Sequence, residues 1–298
     1  MKSGILVVGS LNMDFVLRVE HLPAPGETVR GSDFQMTPGG KGANQAAAAG
    51  RLGGHVSMLG RVGEDIFAEQ LRQSLSACDC DFSRVLETPG VSTGTALIFV
   101  EQGGSNQIAV AAGANARLTS DDLREAEDAF SEAGFLLLQL ESQLATVETA
   151  LELARKHGVI TILDPAPARP LPPELLAMVD ICTPNETEIC ALADSGPAAN
   201  MALQLTTKGP RTVILTLGAA GALVAHEGQT TRYLAPKVEA IDTVAAGDCF
   251  NGALAVALAE GAGIPEAVLF ANRAAAICVT RSGAQASLPT REEVAALA

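Results

Sequence analysis

The chain has no tryptophan, one tyrosine and nine phenylalanines, so aromatics make up only 3% of its 298 residues. A core must therefore be assembled from Ala, Val, Leu and Ile, which favours helices packed on buried parallel strands over a β-sandwich. Positive charge is also scarce. There are 20 Lys and Arg against 34 Asp and Glu, a formal net charge of −14. A nucleic-acid binder needs a basic face to neutralise phosphates, and no Lys/Arg cluster appears, so nucleic acid is not expected as a partner. The acidic balance itself excludes less, because local dipoles can still bind an anion. No apolar run approaches the length that spans a bilayer, and no membrane partner is expected. Residues 1–10 carry one Lys and a short apolar run without a cleavage site, unlike a signal peptide, which makes a cytoplasmic protein the expectation. Cys78 and Cys80 form a C-x-C with no second ligand pair nearby, so they read as reduced thiols on a loop rather than part of a zinc site. The four histidines, at 21, 55, 157 and 226, stand beside no metal-ligand or nucleophile pattern.

What is present is an alternation of short apolar runs with longer amphipathic ones. Hydrophobic residues are 48% of the chain, enough for a sizeable core. Ile5–Gly9, His55–Leu59, Phe135–Leu140, Val159–Asp164, Ile181–Pro184 and Val213–Leu217 read as strands, several apolar on both faces. Between and after them lie helical patterns at Gly42–Leu52, Asp65–Ser76, Ser120–Ala133, Thr146–His157, Glu186–Leu192, Met201–Lys208, Gly247–Ala259 and Pro265–Arg281. The β-α order predicts an α/β fold with a mostly parallel, doubly wound sheet, in one domain over 1–298. Two stretches depart from it. Phe15–Glu20 with Thr28–Met36, and Thr93–Glu101 with Gln107–Ala111 around Gln102–Ser105, read as exposed strands with little helix between them. They form either a small separate β-sheet lid, about 12–38 and 92–112, or extensions of the main sheet.

Three segments could carry chemistry. Gly39-Gly-Lys-Gly-Ala-Asn44 opens an Ala-rich helix, whose first N–H groups are unpaired and whose glycines let a ligand approach the backbone. It is no Walker A loop, since Lys41 is followed by Gly and Gln35 stands where the first Gly belongs. On its own it reads equally as a glycine turn with an exposed Lys. Asn12 and Asp14 follow the first strand two residues apart, so they share a face if the chain stays extended. Such a carboxylate and amide suit a pair of sugar hydroxyls, whereas taken singly the segment reads as an Asx turn. Thr243–Asp248 opens another helix, whose N–H groups and dipole can hold an anion beside Asp248. Asp248 alone would be an ordinary acidic residue in a first turn.

Together these segments resemble the ribokinase family of carbohydrate kinases, the group also named after a minor phosphofructokinase. The resemblance runs from Gly9 to Pro289. It rests on Pro23-Ala-Pro-Gly-Glu-Thr28, Gly39-Gly-Lys-Gly-Ala-Asn-Gln45, Pro184-Asn-Glu-Thr-Glu188, Thr216-Leu-Gly218 and above all Asp242-Thr-Val-Ala-Ala-Gly-Asp-Cys-Phe-Asn-Gly252. Many family members carry Gly at the position of Ala245, and Thr or Ala at that of Cys249. The resemblance implies a three-layer αβα sandwich with a β-sheet lid. It implies Asp248 as general base, with Ala245, Ala246 and Gly247 as a backbone anion hole. Sugar-binding positions would be Asn12, Asp14, Gly40, Lys41, Asn44 and Glu141. ATP-binding positions would be Asn185, Thr216, Leu217, Gly218, Gly221, Gly247 and Asn272. Glu188 would organise Mg²⁺ indirectly, and K⁺ would be held by Asp242, Val244, Cys278, Arg281, Gly283 and Ser287, mostly through backbone oxygens.

Within the family the substrate must be argued from residues. A sugar phosphate needs cationic side chains, and the sugar-facing segments offer only Lys41. A nucleoside base needs aromatics to stack on, and only Phe15 and Phe99 are candidates. A small neutral sugar fits best. The segments Gly9–Asp14 and Thr280–Gln285 resemble the ribose-phosphorylating members most closely, so the expected partners are D-ribose, taken at its 5-hydroxyl, and ATP. The alternatives are a fructokinase or other neutral-sugar or nucleoside kinase of the family, and a non-catalytic sugar- or nucleotide-sensing protein on the same fold. A Rossmann dehydrogenase is disfavoured because no G-x-G-x-x-G follows the first strand. Exposed lid strands have edges that can pair between subunits, and a homodimer through the lid is expected.

Overall fold

A computed structural model describes residues 2–101 and 106–297; the expected turn at Gln102–Ser105 lies outside the described residues. Thirteen strands are found among them: β1 Gly4–Val8, β2 Asn12–Val19, β3 Gly31–Gly39, β4 Val56–Gly63, β5 Cys80–Thr88, β6 Gly94–Glu101, β7 Asn106–Ala111, β8 Ala133–Leu138, β9 Ile160–Leu163, β10 Ile181–Cys182, β11 Thr212–Thr216, β12 Ala222–His226 and β13 Gln229–Tyr233. The helices are α1 Lys41–Arg51, α2 Ile66–Ser76, α3 Ser120–Glu125, α4 Glu127–Glu132, α5 Leu144–His157, α6 Pro173–Leu176, α7 Glu186–Leu192, α8 Ala198–Thr207, α9 Ala246–Ala259, α10 Ile264–Cys278 and α11 Arg291–Ala296. Among the described residues, no helix is long and apolar enough to cross a membrane.

Nine strands form one sheet in the order β13-β12-β11-β10-β9-β8-β1-β4-β5. It is parallel from β5 to β11, and β12 and β13 extend it antiparallel. The interior strand β1 is buried on both faces. Ile5 and Val7 point into one apolar layer, with α1, α2, α9 and α10, while Leu6 and Val8 point into the other, with α3, α4, α5, α7 and α8. The expected three-layer α/β sandwich is therefore observed. Strand order runs from β1 outward to β4 and β5 on one side, and to β8, β9, β10 and β11 on the other. The chain reverses between β1 and β8, and the loops leaving these two strands diverge there, opening the crevice in which open α/β sheets bind ligands.

The scarcity of aromatics has a visible counterpart in α1 and α9. Residues 42–50 are buried without interruption, and Gly252 of α9 sits so close that a Cβ there would lie 2.7 Å from the Ala48 methyl. Small residues let the two helices approach closely, so volume comes from backbone rather than from large side chains. A helix buried on every side keeps its polar residues away from water. Asn44 and Gln45 must therefore find partners inside.

The remaining strands, β3-β2-β6-β7, pair in a separate four-stranded sheet. It carries the exposed apolar residues Phe34, Met36, Leu97, Ile108 and Val110.

Several expectations need correction. Cys80 begins the edge strand β5, and both Cys78 and Cys80 are buried rather than on an open loop. The helix expected over 120–133 is broken at Ala126 (φ −97°, ψ 24°), whose N–H still bonds the Asp122 carbonyl, and Ala133 already belongs to β8. The hairpin β12–β13 was not expected. Its two-residue turn, Glu227 (φ 48°) and Gly228 (φ 75°), has the positive φ at both positions that a tight hairpin requires.

Candidate active site

Each parallel strand ends at the same edge, and the polar residues gather just beyond. Ser10 follows β1, Gln139 and Glu141 follow β8, Asp164 follows β9, and Asn185 follows β10. Ser10 and Glu141 meet across the crevice between β1 and β8, the Ser10 hydroxyl donating to the Glu141 carboxylate, which also accepts the Lys41 N–H at 3.3 Å.

Asn12 and Asp14 lie on β2, where the chain stays extended, so both side chains leave the same face of the small sheet, and both are buried. Asn12 is oriented by a residue that the sequence reading missed. The Asn115 amide donates to Asn12 Oδ1 at 2.8 Å and to the Leu11 carbonyl at 3.0 Å, and accepts the Leu11 N–H at 2.9 Å. With its oxygen occupied, Asn12 presents its NH₂ group as a donor. Gly40 caps α1 with φ 89°, a region closed to most side chains, and a Cβ there would lie 2.7 Å from the Asn12 nitrogen. That close approach joins the start of α1 to β2.

Asp248 stands in the first turn of α9 and is 6% exposed. Asn44 Nδ2 donates to its Oδ2 at 3.0 Å, and Gln45 Nε2 donates to its Oδ1 at 3.2 Å. Burial pushes its pKa up, against the opposing pull of Lys41 and these two amides. Burial, then Glu141 and Asp248, raises Asp14 to about 7. Burial raises Asp164 to about 8, with Lys41 opposing and Asp248, Glu188 and Glu141 adding to the rise. Burial alone would lower the Lys41 ammonium, but Asp248, Asp164, Glu141 and Glu188 outweigh it and hold it above its ordinary value. Lys41 is thus the cation around which four carboxylates, Asp248, Asp164, Glu141 and Glu188, are arranged.

The preceding residue pattern explains how α9 begins. Ala245 caps it in the left-handed region (φ 59°, ψ 8°), a strained state for a residue with a Cβ, costing roughly 1–2 kcal/mol. This turn brings the N-terminal end of the helix to the surface of the crevice, where the Ala246 N–H makes only a long bond to the Thr243 carbonyl at 3.3 Å and a Cβ on Gly247 would meet nothing within 4 Å. Open space thus lies against an uncapped helix N-terminus, with a buried carboxylate at its rim.

The residues expected at the nucleotide fall at the same sheet edge. Asn185 caps α7, its Oδ1 accepting the Thr187 and Glu188 N–H groups at 2.8 Å, while Glu188 returns bonds to the Asn185 N–H and amide. Glu188 is therefore a buried capping-box residue whose pKa burial raises, not a solvated one. Asn185 bridges to Thr216, and the Leu217 N–H closes the Gly218 turn on the Gly221 carbonyl at 2.8 Å. Asn272 of α10 donates to the Tyr233 carbonyl at 3.1 Å, opposite Ala222 and so beside Gly221.

Behind the α9 turn, the Asp242 carboxylate ties two loops together, accepting the Val244 N–H at 3.0 Å and the Gly283 N–H at 2.9 Å. Cys278 Sγ lies 3.0 Å from Ser287 Oγ and 3.9 Å from the Val244 carbonyl. The structure thus brings together Asp242, Val244, Cys278, Gly283 and Ser287. The Arg281 side chain instead pairs with Glu293, leaving only its backbone for that site. Carboxylate and carbonyl oxygens of this kind suit a hard cation, and Val244 O has only a weak thiol donor. Among the described residues, no group of three or more His, Cys, Asp or Glu could hold a metal by itself.

A sheet-edge crevice with a buried carboxylate, a basic residue and an open helix N-terminus defines a phosphotransfer enzyme acting on a hydroxylated small molecule. Comparison with known proteins gives the same class. Residues 2–291 match the pfkB family carbohydrate kinase model. The ribokinase of Haemophilus influenzae is 41% identical over 98% of this chain and 97% of that protein. The crystal structure of ribokinase from Thermotoga maritima superposes with a TM-score of 0.91 at 39% identity, covering 98% of both chains. Arabidopsis thaliana ribokinase complexed with ribose and ATP gives 0.91 at 32% identity, covering 100% of this chain and 99% of that one. The chain belongs to the pfkB family of carbohydrate kinases.

Proposed function

We propose that this chain transfers the γ-phosphoryl group of ATP to the 5-hydroxyl of D-ribose. The observation that carries the reading is the placement of Asp248, buried at the rim of the open α9 N-terminus and held by Asn44 and Gln45. An alcohol is a poor nucleophile near neutrality, so a positioned carboxylate takes its proton as the bond to phosphorus forms. The N–H groups of Ala245, Ala246 and Gly247 receive the charge of the transferring group, each such donor being worth about 3 kcal/mol. Asp14, Asn12, Gly40, Asn44, Lys41 and Glu141 hold the sugar, with carboxylates accepting from its hydroxyls and amides donating to them. Asn185, residues 216–221 and Asn272 bind the nucleotide. The similarity to proteins named ribokinase supports ribose over fructose.

Mg²⁺ entering with ATP would supply charge neutralisation at the phosphates, and Glu188 is the residue that would organise it indirectly. K⁺ fits the oxygen set around Asp242 and Val244, where it would brace the turn that opens α9. The small sheet, about 12–38 and 92–112, serves as a lid that excludes water, and its exposed Phe34, Met36, Ile108 and Val110 fit a homodimer formed through it.

Asp248→Asn tests the reading. Turnover should fall ~10³-fold or more, while ribose still raises the melting temperature. Near-normal turnover would remove Asp248 from the base role, and a preference for fructose, deoxyribose or adenosine in a coupled ADP assay would displace ribose.

A further inference from the structure

Gln45 is 0% exposed, on a helix buried all round. Its Nε2 lies 2.9 Å from Asp164 Oδ2 and 3.2 Å from Asp248 Oδ1. An ionised Asp248 only accepts, so this terminal atom must be the donating nitrogen. The amide oxygen then points away, where Gln139 Nε2 donates to it at 2.6 Å. Gln139 is itself 1% exposed at the end of β8, and Gly9 leaves room for it, since a Cβ on Gly9 would lie 2.0 Å from Gln139 Oε1.

The order of donors therefore runs in one direction, from Gln139 to Gln45 and from Gln45 to both carboxylates. We infer that Gln45 is a positioning residue for the phosphoryl-transfer step, its amide oriented by the carboxylates it donates to, and that Gln139, whose own Oε1 has no partner, supports it from behind by donating to the Gln45 oxygen. The inference rests on Asp248 being the base. Its physical content is specific. Asn44 holds Oδ2 and Gln45 holds Oδ1, so both oxygens of Asp248 are pinned and the carboxylate cannot rotate about its own axis. Orientation errors of this kind cost rate rather than substrate affinity. The Gln45 donor also favours the ionised carboxylate, which counters the upward push of burial. Without it, Asp248 would stay protonated to higher pH and the base would be lost from the low-pH side.

The test compares Gln45→Met and Gln139→Met, which keep length and apolar bulk, with the parent enzyme, using ATP and ribose over pH 5–9. The expected result for Gln45→Met is a kcat lower by ~10-fold or more, a ribose KM within about threefold, and an acid limb moved to higher pH. Gln139→Met should move both quantities the same way by less, because it acts at one remove. A role confined to packing would lower thermal stability and leave the acid limb in place, and that outcome overturns the inference. Should Gln45→Met fail to fold, Gln139→Met carries the decision, and an unmoved kcat and acid limb there refute it. Asp248→Asn run alongside keeps the two readings apart. An active Asp248→Asn removes the base assignment, whereas an inactive Asp248→Asn with a normal Gln45→Met removes only the role given to Gln45.

Discussion

Asp164 should make this enzyme less stable as the pH rises through neutrality. Its carboxyl is 6% exposed, accepts from Gln45 at 2.9 Å, and has its pKa raised by burial from 3.8 to about 8. The unfolded chain releases this proton near the ordinary value, while the folded chain keeps it to about pH 8. Between those limits the folded state binds the extra proton, so stability is greatest on the acid side and declines as pH rises. One retained proton corresponds to a loss of roughly 2.7 kcal/mol between pH 5 and pH 7. Asp14, raised to about 7, acts in the same direction over most of that interval. In Asp164→Asn the amide oxygen can still accept from Gln45, but the proton linkage is gone. Urea unfolding of the ligand-free protein, followed by far-ultraviolet circular dichroism because there is no tryptophan, measures the slope. The variant should lose one proton's worth of pH dependence and be the more stable protein at pH 7. An unchanged slope would mean that Asp164 is ionised in the folded state, and the electrostatic description of the site would fail.

Asn115→Leu removes the group that turns Asn12 toward the crevice, so KM for ribose should rise ~10-fold with kcat and KM for ATP much less affected, and an unaltered ribose KM would refute the orientation argument. Ala245→Val places a β-branched residue at φ 59°, and kcat should fall about 100-fold while ribose-induced thermal stabilisation persists; Ala245→Gly, relieved of the left-handed strain, should keep its activity. Exchanging K⁺ for Na⁺ should lower turnover in the parent, and Asp242→Ala should abolish that difference; equal rates in the two salts would dismiss the cation site.

The fold was legible where period and length agreed. β1 is apolar on both faces because it is buried on both, and the helices after it have unmistakable spacing. Reading failed where burial is partial. β5 alternates irregularly, as an edge strand with one wet side does, so Cys80 looked like loop. The β12–β13 hairpin had a findable signal in Glu227-Gly228 between an apolar and a Thr-rich run. In the site, Asn12, Asp14, Lys41 and Asp248 stood in glycine-rich segments that mark helix starts and close approaches. Asp164 and Gln139 lack such punctuation, and the glycine before Asn115 opens only a short 3-10 turn rather than an amphipathic helix. Their roles arise from contacts spanning 94 to 119 residues of chain, which no local pattern encodes.

The single tyrosine has a practical consequence. Tyr233 ends β13, and its carbonyl anchors Asn272 beside the turn proposed to take the nucleotide. With no tryptophan to dominate emission, ultraviolet-excited fluorescence of the unmodified chain comes essentially from one ring. The enzyme thus carries a native optical reporter on the residue whose carbonyl adjoins that turn. Mixing experiments could follow nucleotide arrival without a label, and a tryptophan placed on the small sheet would report sugar-linked movement as an independent second channel.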